Sequence, residues 1–273
     1  MRTVSIAVVV SAASASFAAV SDDPFADRVV SYTPGTGVAA GFDDPTTALG
    51  APTRFTSPNS PFGGATTPFQ GAFGDDEVVT VGEGGSLTVA FDTAVTNDAL
   101  NPFGIDLLIF GNQAFFDADF PNGVAGAPFA DAGGVIEVSA DGINFIEVPN
   151  VTPEGGFPTL GFLDPTAPLT FGGTVADGTI PSDFTKPVDP SFDLTGLTLD
   201  QILAGYDGSG GGLGIDIGAL GLDEISYVRI TNPFGSGGTP EVDAFADVRA
   251  IPSPSAVSLV AVAGVAAWRR RRA

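Results

Sequence analysis

Residues 134–149, GVIEVSADGINFIEVP, indicate the fold class more strongly than any other stretch of this chain. Asp141-Gly142 separates two runs rich in Val, Ile and Phe, and this dipeptide favours a tight hairpin turn because both residues tolerate positive φ. A two-residue turn pairs Val138 with Phe145 and collects the polar side chains on the opposite face. The stretch therefore predicts an antiparallel sheet with one buried face, and it assigns Asp141 to the turn rather than to a ligand site.

Two further stretches predict strands in different environments. Ser86–Phe91 alternates larger apolar residues with small ones, as a half-buried strand does. Ile105–Phe110 is nearly all apolar, which predicts a strand covered on both faces. Its exception, Asp106, is expected at the entrance of the strand because a buried carboxylate is costly without partners. The remaining predicted strands are Val29–Thr33, Glu77–Val81, Ile225–Thr231 and Glu241–Ile251.

One short helix is predicted late in the chain. Thr198 and Gln201 have the spacing of a capping box, and Gly205 can end the helix. No change in composition divides residues 22–250, so these residues are expected to form one domain. The sequence predicts an all-β fold, an antiparallel two-sheet β-sandwich with one short helix and long loops.

The composition excludes several classes of chemistry. The chain has no Cys and no His, which rules out disulfides, Cys/His metal sites and catalysis that needs histidine. Its net charge is −22, with 32 acidic residues, and half of the ten basic residues lie in the two tails. This charge repels nucleic acid and anionic membranes and attracts cations.

Both ends of the chain are expected to direct its export. Residues 1–19 have a basic start, a short apolar core and small residues, the pattern of a secretory signal peptide. Residues 251–273 contain Pro252-Ser253-Pro254, an apolar run and four arginines at 269–272. The apolar run is shorter than the ~20 residues of a comfortable membrane span. The arginines would stay on the cytoplasmic side and stop translocation.

This three-part tail resembles the PEP-CTERM sorting signal of exported bacterial proteins, with Pro-Ser-Pro in place of Pro-Glu-Pro. The resemblance implies one partner, an exosortase-type membrane enzyme that cleaves near the motif and passes the protein to the cell envelope or extracellular matrix. The alternative is a permanent short membrane anchor. Membrane contact is expected only through this tail.

Six phrases in the body, taken in order, resemble bacterial cell-surface domains of the discoidin or galactose-binding-like jelly-roll type. The resemblance implies a jelly-roll sandwich with loops gathered at its ends, a structural Ca²⁺, and carbohydrate or protein binding by those loops. The phrases are ALGAP (48–52), GEGGSLTVAF (82–91), GIDLLIF (104–110), IEVSADGINF (136–145), YVRIT (227–231) and VDAFADV (242–248).

Four acidic residues are the candidate Ca²⁺ ligands. In jelly rolls of this type the early loop and the last strand often meet, which would bring Asp43 and Asp44 toward Glu241 and Asp243. Glu241 and Asp243 are two residues apart and point the same way on a regular strand, and carboxylates are the usual Ca²⁺ ligands. The alternative is that all four are solvated surface acids. Asp117 and Asp119 form a weaker second candidate site.

The expected function is non-catalytic binding of extracellular polysaccharide at the cell surface, with Ca²⁺ holding the end loops. One alternative is a purely structural matrix protein without a discrete ligand. Another is a glycoside hydrolase, because that chemistry needs only two carboxylates and no histidine. The 22 Phe are interpreted mostly as core residues, and no catalytic pair is assigned.

Overall fold

The computed structural model describes residues 23–58, 63–129, 133–166 and 177–249. The predicted signal peptide (1–19) and sorting tail (251–273) lie outside these residues. The strands are β1 (Arg28–Thr33), β2 (Phe55–Thr56), β3 (Gly64–Ala65), β4 (Val79–Thr80), β5 (Ser86–Thr96), β6 (Leu107–Gly111), β7 (Ala114–Asp117), β8 (Ala125–Phe129), β9 (Val135–Ser139), β10 (Ile146–Glu147), β11 (Leu213–Ile215), β12 (Glu224–Thr231) and β13 (Glu241–Asp247). The helix α1 spans Leu199–Tyr206, and short 3-10 turns span Pro45–Ala48, Pro102–Gly104 and Gly218–Leu220.

Two antiparallel sheets form the body of the domain, which confirms the predicted all-β sandwich. The first has the strand order β1-β5-β12-β9-β10, and the second has the order β11-β6-β13-β4. Two short hairpins, β2-β3 and β7-β8, stand outside both sheets. Within the described ranges, no helix is long and apolar enough to cross a bilayer.

The main core lies between the two sheets. Its centre consists of side chains that are fully shielded from solvent, each worth roughly 1.5–3 kcal/mol when buried. The first sheet contributes Leu87, Val89, Ile136, Val138, Val228 and Ile230, and the second contributes Leu107, Ile109, Val242 and Phe245. The alternation predicted along β5 and β12 thus corresponds to their inward faces.

Strand β6 is covered on both faces, as its apolar sequence predicted. Leu107 and Ile109 face the main core, while Leu108 and Phe110 pack in a separate cluster on the outer side of the same sheet. Asp106 precedes the first residue of β6 and is fully buried. Its carboxylate accepts hydrogen bonds from Asn101 Nδ2 (2.9 Å) and the Ile217 amide (3.1 Å). The position at the strand entrance was predicted, whereas the full burial was not, and these donors compensate for it.

The predicted register of the opening hairpin is wrong by one residue. Val138 pairs with Ile146, not with Phe145, because the loop between β9 and β10 is longer than two residues. A shift of one residue moves a side chain to the other face of a sheet. Phe145 therefore lies under the guanidinium of Arg229, 3.7 Å from ring centre to Cζ, rather than in the core.

Asp141 has the turn role that the sequence predicted. Its carboxylate accepts hydrogen bonds from the amides of Ile143 and Asn144, both at 2.8 Å, and from Asn144 Nδ2 at 2.7 Å. These bonds, the Asn144 amide first, lower the pKa of Asp141. The side chain replaces the tight two-residue turn with a wider loop built around its own carboxylate.

Helix α1 starts at the predicted capping box and ends one residue later than predicted. The Thr198 amide and hydroxyl both donate to Gln201 Oε1, at 2.9 Å and 3.2 Å. Gly205 lies inside the helix, and the chain leaves at Asp207, which has a left-handed conformation (φ 48°). A Cβ at Gly205 would lie 2.0 Å from the Phe192 ring. The glycine is needed for this close packing and not for ending the helix.

Candidate functional site

The 3-10 turn Pro45–Ala48, which follows Asp43 and Asp44, packs against strands β4 and β13. The Thr80 amide donates to the Phe42 carbonyl at 2.9 Å. Asp44 caps the following 3-10 turn, because its Oδ1 accepts from the Thr46 amide (2.9 Å) and hydroxyl (2.7 Å). These bonds, the hydroxyl first, lower the pKa of Asp44. Its carboxylate stabilises the loop locally.

Asp43 lies beside Tyr32, whose hydroxyl donates to the Thr80 carbonyl at 2.7 Å. Partial burial, followed by the negative charge of Asp43, raises the pKa of Tyr32 to about 12. Asp43 is exposed at this edge of the sandwich. It therefore contributes negative potential near β4.

Glu241 and Asp243 have different partners. A bulge between Val242 and Ala244 interrupts the regular alternation along β13. Glu241 accepts from Asn112 Nδ2 and Thr80 Oγ1, and burial raises its pKa. Asp243 is 2% exposed and accepts from the Thr53 amide and hydroxyl, each at 2.9 Å.

A second buried carboxylate, Glu77, lies near Asp243. Glu77 is 7% exposed and accepts from Thr56 Oγ1 (2.7 Å) and from the amides of Phe73 (3.0 Å) and Gly74 (2.8 Å). Burial and, to a smaller extent, the charge of Glu77 raise the pKa of Asp243 to about 7. Glu77 therefore holds two loop segments, one at Thr56 and one at Phe73 and Gly74, beside Asp243 of the last strand.

In the described part of the chain, no three Asp or Glu side chains converge as a metal site would require. The Ca²⁺ site at Asp43, Asp44, Glu241 and Asp243 stays a prediction.

We expect any bound Ca²⁺ to raise Tm at millimolar concentration, with reversal by EDTA. Asp43→Asn should abolish the rise, whereas Asp200→Asn, on the exposed face of α1, should leave it intact. A Tm that Ca²⁺ does not change would contradict the prediction.

Asp117, of the weaker candidate pair, organises the turn between β7 and β8. Its carboxylate accepts from the amides of Asp119 (2.9 Å), Gly123 (3.0 Å) and Val124 (2.9 Å). Asp119 accepts from Asn122 Nδ2 at 3.2 Å. The two acids shape the hairpin that carries several exposed aromatic rings.

The structure places an aromatic cleft beside this hairpin. The cleft has a volume of about 430 Å³ and lies between the loop 69–73 and the start of the β7-β8 hairpin. This volume is in the range of small-ligand pockets, roughly 300–1,000 Å³. Its walls are mostly ring carbon, and the lining consists of residues 69–73, Asn112, Ala114, Phe115, Phe116 and Phe129.

Two exposed rings stand at the edge of the cleft. Phe116 is 62% exposed and Phe129 is 49% exposed, and the rings pack edge to face with centroids 5.4 Å apart. The pairing of β7 with β8 brings the two rings together. Aromatic rings that stay exposed in this way commonly mark binding surfaces.

The opposite wall is held rigidly by backbone contacts. Glu77 and Thr56 bind the Phe73 amide, which fixes the end of the segment 69–73. The Phe115 amide donates to the Pro68 carbonyl at 2.8 Å. Gly71 approaches Asn112 so closely that a Cβ would lie 2.5 Å from the Asn112 carbonyl oxygen. The two walls are therefore joined beneath the cleft.

Two amide side chains of the lining keep an unpartnered atom. Gln70 is 5% exposed, and its Nε2 has no hydrogen-bond partner. Asn112 Oδ1 is likewise buried without a partner. A buried polar atom that lacks a partner costs roughly 1–3 kcal/mol.

The sequence interpretation of the Phe residues as core missed the cleft. The sequence feature that could have revealed the cleft is the concentration of four Phe between residues 111 and 133. This stretch is bounded by turn residues rather than by a long strand. Comparisons of this chain with protein-family models, curated proteins and solved structures found no match.

Proposed function

We propose that this protein is exported to the cell surface or extracellular matrix, where its β-sandwich binds polysaccharide without cleaving it. The observation that carries the proposal is the aromatic cleft, with Phe116 and Phe129 exposed at its edge. The signal-like and PEP-CTERM-like segments at the two ends support export, sorting by an exosortase-type enzyme and retention at the envelope.

The cleft suits a sugar ring for two reasons. Exposed aromatic rings offer flat apolar surface against which the C–H face of a pyranose can pack. Gln70 and Asn112 are the polar side chains among the described residues that line the cleft. Apolar walls with a few polar groups are the usual composition of a small-ligand site.

The position of the carboxylates favours binding over hydrolysis. Glycoside hydrolysis needs two carboxyl groups on either side of the scissile bond, about 5–9.5 Å apart. Among the described residues that line the cleft there is no Asp or Glu. The nearby Glu77 and Asp243 are buried and hydrogen-bonded to backbone amides.

We expect the double variant Phe116→Ala, Phe129→Ala to lose polysaccharide binding, because both exposed stacking surfaces disappear. Two aromatic contacts of about 1 kcal/mol each correspond to roughly a 30-fold loss of affinity. The measurement is a glycan array followed by calorimetry on the glycan that binds best. Phe234→Ala is the matched control, because Phe234 is 78% exposed but packs at Gly84 and does not line the cleft.

Other outcomes would favour the alternatives. If no glycan binds the wild-type protein, the structural matrix protein becomes the better interpretation. Release of reducing sugar from a bound glycan would favour the hydrolase. Equal affinity of the wild-type protein and the double variant would move the binding site away from the cleft.

A further inference from the structure

We propose that the loop 98–104 contacts the lipid bilayer that holds the C-terminal tail, so that the aromatic cleft faces away from the membrane. The inference rests on the proposed retention at the envelope. It adds a second membrane contact to the one expected from the tail, and it gives the domain an orientation. The grounds are two exposed apolar side chains on a firmly held loop, the position of this loop where the chain leaves the domain, and the position of the cleft at the other end of strand β6.

The loop exposes two large apolar side chains. Leu100 is 76% exposed and Phe103 is 55% exposed. Phe103 has a left-handed backbone (φ 61°, ψ 9°), which a bulky residue rarely adopts. Backbone strain of this kind is found mostly at functional sites. Apolar side chains that stay together at the surface mark contacts with proteins or membranes.

Hydrogen bonds hold this loop in place. The Leu100 amide donates to Asp98 Oδ1 at 2.9 Å, and the Asn101 amide donates to the Asp98 carbonyl at 2.9 Å. Asn101 Nδ2 in turn donates to the buried carboxylate of Asp106 at 2.9 Å. The exposure of Leu100 and Phe103 is therefore maintained by a loop that is fastened to the buried start of β6.

The same residue fastens the end of the domain. The Asp106 carbonyl accepts from the Val248 amide at 2.8 Å. A cavity of about 290 Å³ is lined by residues of both segments, among them Asp98, Asn101, Val248 and Arg249. The loop thus lies beside the point where the chain leaves the domain toward the tail.

The connection from this point to the apolar run of the tail is short. Residues 250–255 separate Arg249 from Ala256, the first residue of the apolar run. A fully extended chain spans at most about 3.6 Å per residue, so Ala256 lies within about 25 Å of Arg249. When the apolar run enters a bilayer, this end of the domain is kept at the membrane surface. The tether raises the effective concentration of the loop there, so a weak affinity of two apolar side chains can produce contact.

The aromatic cleft lies at the other end of β6. Asp106 precedes this strand, and Asn112, which lines the cleft, follows it. At roughly 3.3 Å per residue, the stretch from Asp106 to Asn112 covers about 20 Å. A domain that rests on the loop 98–104 therefore presents the cleft to the polysaccharide outside rather than to the lipid.

The bilayer surface that fits this end is zwitterionic. Asp23, Asp98 and Asp247 line the cavity beside the loop, together with one basic residue, Arg249. An excess of carboxylates repels anionic headgroups. The two apolar side chains of the loop can still enter the boundary between headgroups and acyl chains, where apolar groups bury to roughly 5–10 Å.

The test uses the full chain in phosphatidylcholine vesicles, with a fluorophore on a single introduced cysteine. Because the chain has no Cys, Ala99→Cys and Ala127→Cys each carry one label. Ala99 is an exposed residue of the loop, and Ala127 is an exposed residue of β8, the strand that carries Phe129. Lipids with a nitroxide near the headgroup should quench the Ala99 label at least about threefold more than the Ala127 label, because only the loop enters the boundary region.

The double variant Leu100→Ser, Phe103→Asn should reduce quenching of the Ala99 label to the level of the Ala127 label. Asn tolerates the left-handed backbone at this position, so the loop keeps its conformation. Phe234→Ala is the matched control and should leave the quenching unchanged. Phe234 is 78% exposed but lies in the loop that precedes Glu241, at the cleft end of β13.

Equal quenching of the two labels, or stronger quenching of the Ala127 label, would overturn the orientation and leave the tail contact and polysaccharide binding intact. Unchanged quenching in the double variant would overturn the role of the loop. If the full chain does not bind the vesicles at all, this inference and the proposed retention by the tail both fall. Glycan binding is measured separately by calorimetry and does not depend on these outcomes.

Discussion

Glu77→Ala is expected to lower the free energy of unfolding by about 3–5 kcal/mol, the largest effect of any single substitution considered for this protein. The carboxylate is 7% exposed and accepts from Thr56 Oγ1 and from the backbone amides of Ser57, Phe73 and Gly74. Truncation leaves these donors buried without an acceptor, at roughly 1–3 kcal/mol for each group that water cannot reach.

Urea unfolding monitored by circular dichroism measures this loss. Asp76→Ala is the matched control, because Asp76 is the exposed neighbour of Glu77 and surface substitutions usually change stability by less than about 0.5 kcal/mol. Glu77→Gln should fall between the wild type and the alanine variant, since it keeps one acceptor oxygen. A loss below 1 kcal/mol for Glu77→Ala would show that the loops 53–57 and 73–77 do not depend on this carboxylate.

The second large effect is a dependence of stability on pH that comes from Asp243. Its pKa is raised from 3.8 to about 7, first by burial and then by the charge of Glu77. Between these values the folded protein holds a proton that the unfolded chain releases, so the free energy of unfolding falls as pH rises. At about 1.4 kcal/mol per pKa unit, the decrease attributable to Asp243 between pH 5 and pH 8 is about 3 kcal/mol.

Asp243→Asn should remove this component of the pH dependence. The measurement is the free energy of unfolding at pH 5, 6, 7 and 8 for both proteins, and the variant should gain about 3 kcal/mol relative to the wild type across this range. Hydrogen bonds lower the pKa of Asp44, Asp164, Asp189 and Asp193, so these groups titrate below the window. Asp200→Asn is the control. Parallel profiles for wild type and Asp243→Asn would contradict the assignment.

Local patterns predicted most of the elements. The alternation of β5 and β12, the apolar run of β6 and the capping box of α1 each depend on neighbours within a few residues. Asp141 was also predictable, because its carboxylate binds amides two and three residues further along. The hairpin register was not, because the Asp141 loop is longer than the two-residue turn that its sequence favours.

The candidate site depends on contacts that are distant in sequence. Asp243 binds Thr53, 190 residues away, and Asn112 binds Glu241 across 129 residues. Both acids entered the sequence prediction as calcium ligands, since their type and spacing were visible while their partners were not. The exposure of Phe116 and Phe129 was equally hidden, because a Phe in a loop has the same local sequence whether it packs inside or stands at a cleft.

The sequence by itself determined the all-β class, most strands, the helix start and the turn role of Asp141, because each follows from dihedral preference and periodicity over a few residues. The tertiary structure alone decided which side chains surround Glu77 and Asp243, which residues pair in the hairpin, and where the aromatic cleft forms. Those features arise where loops from distant parts of the chain meet, and burial at such a meeting point depends on packing that no local pattern contains.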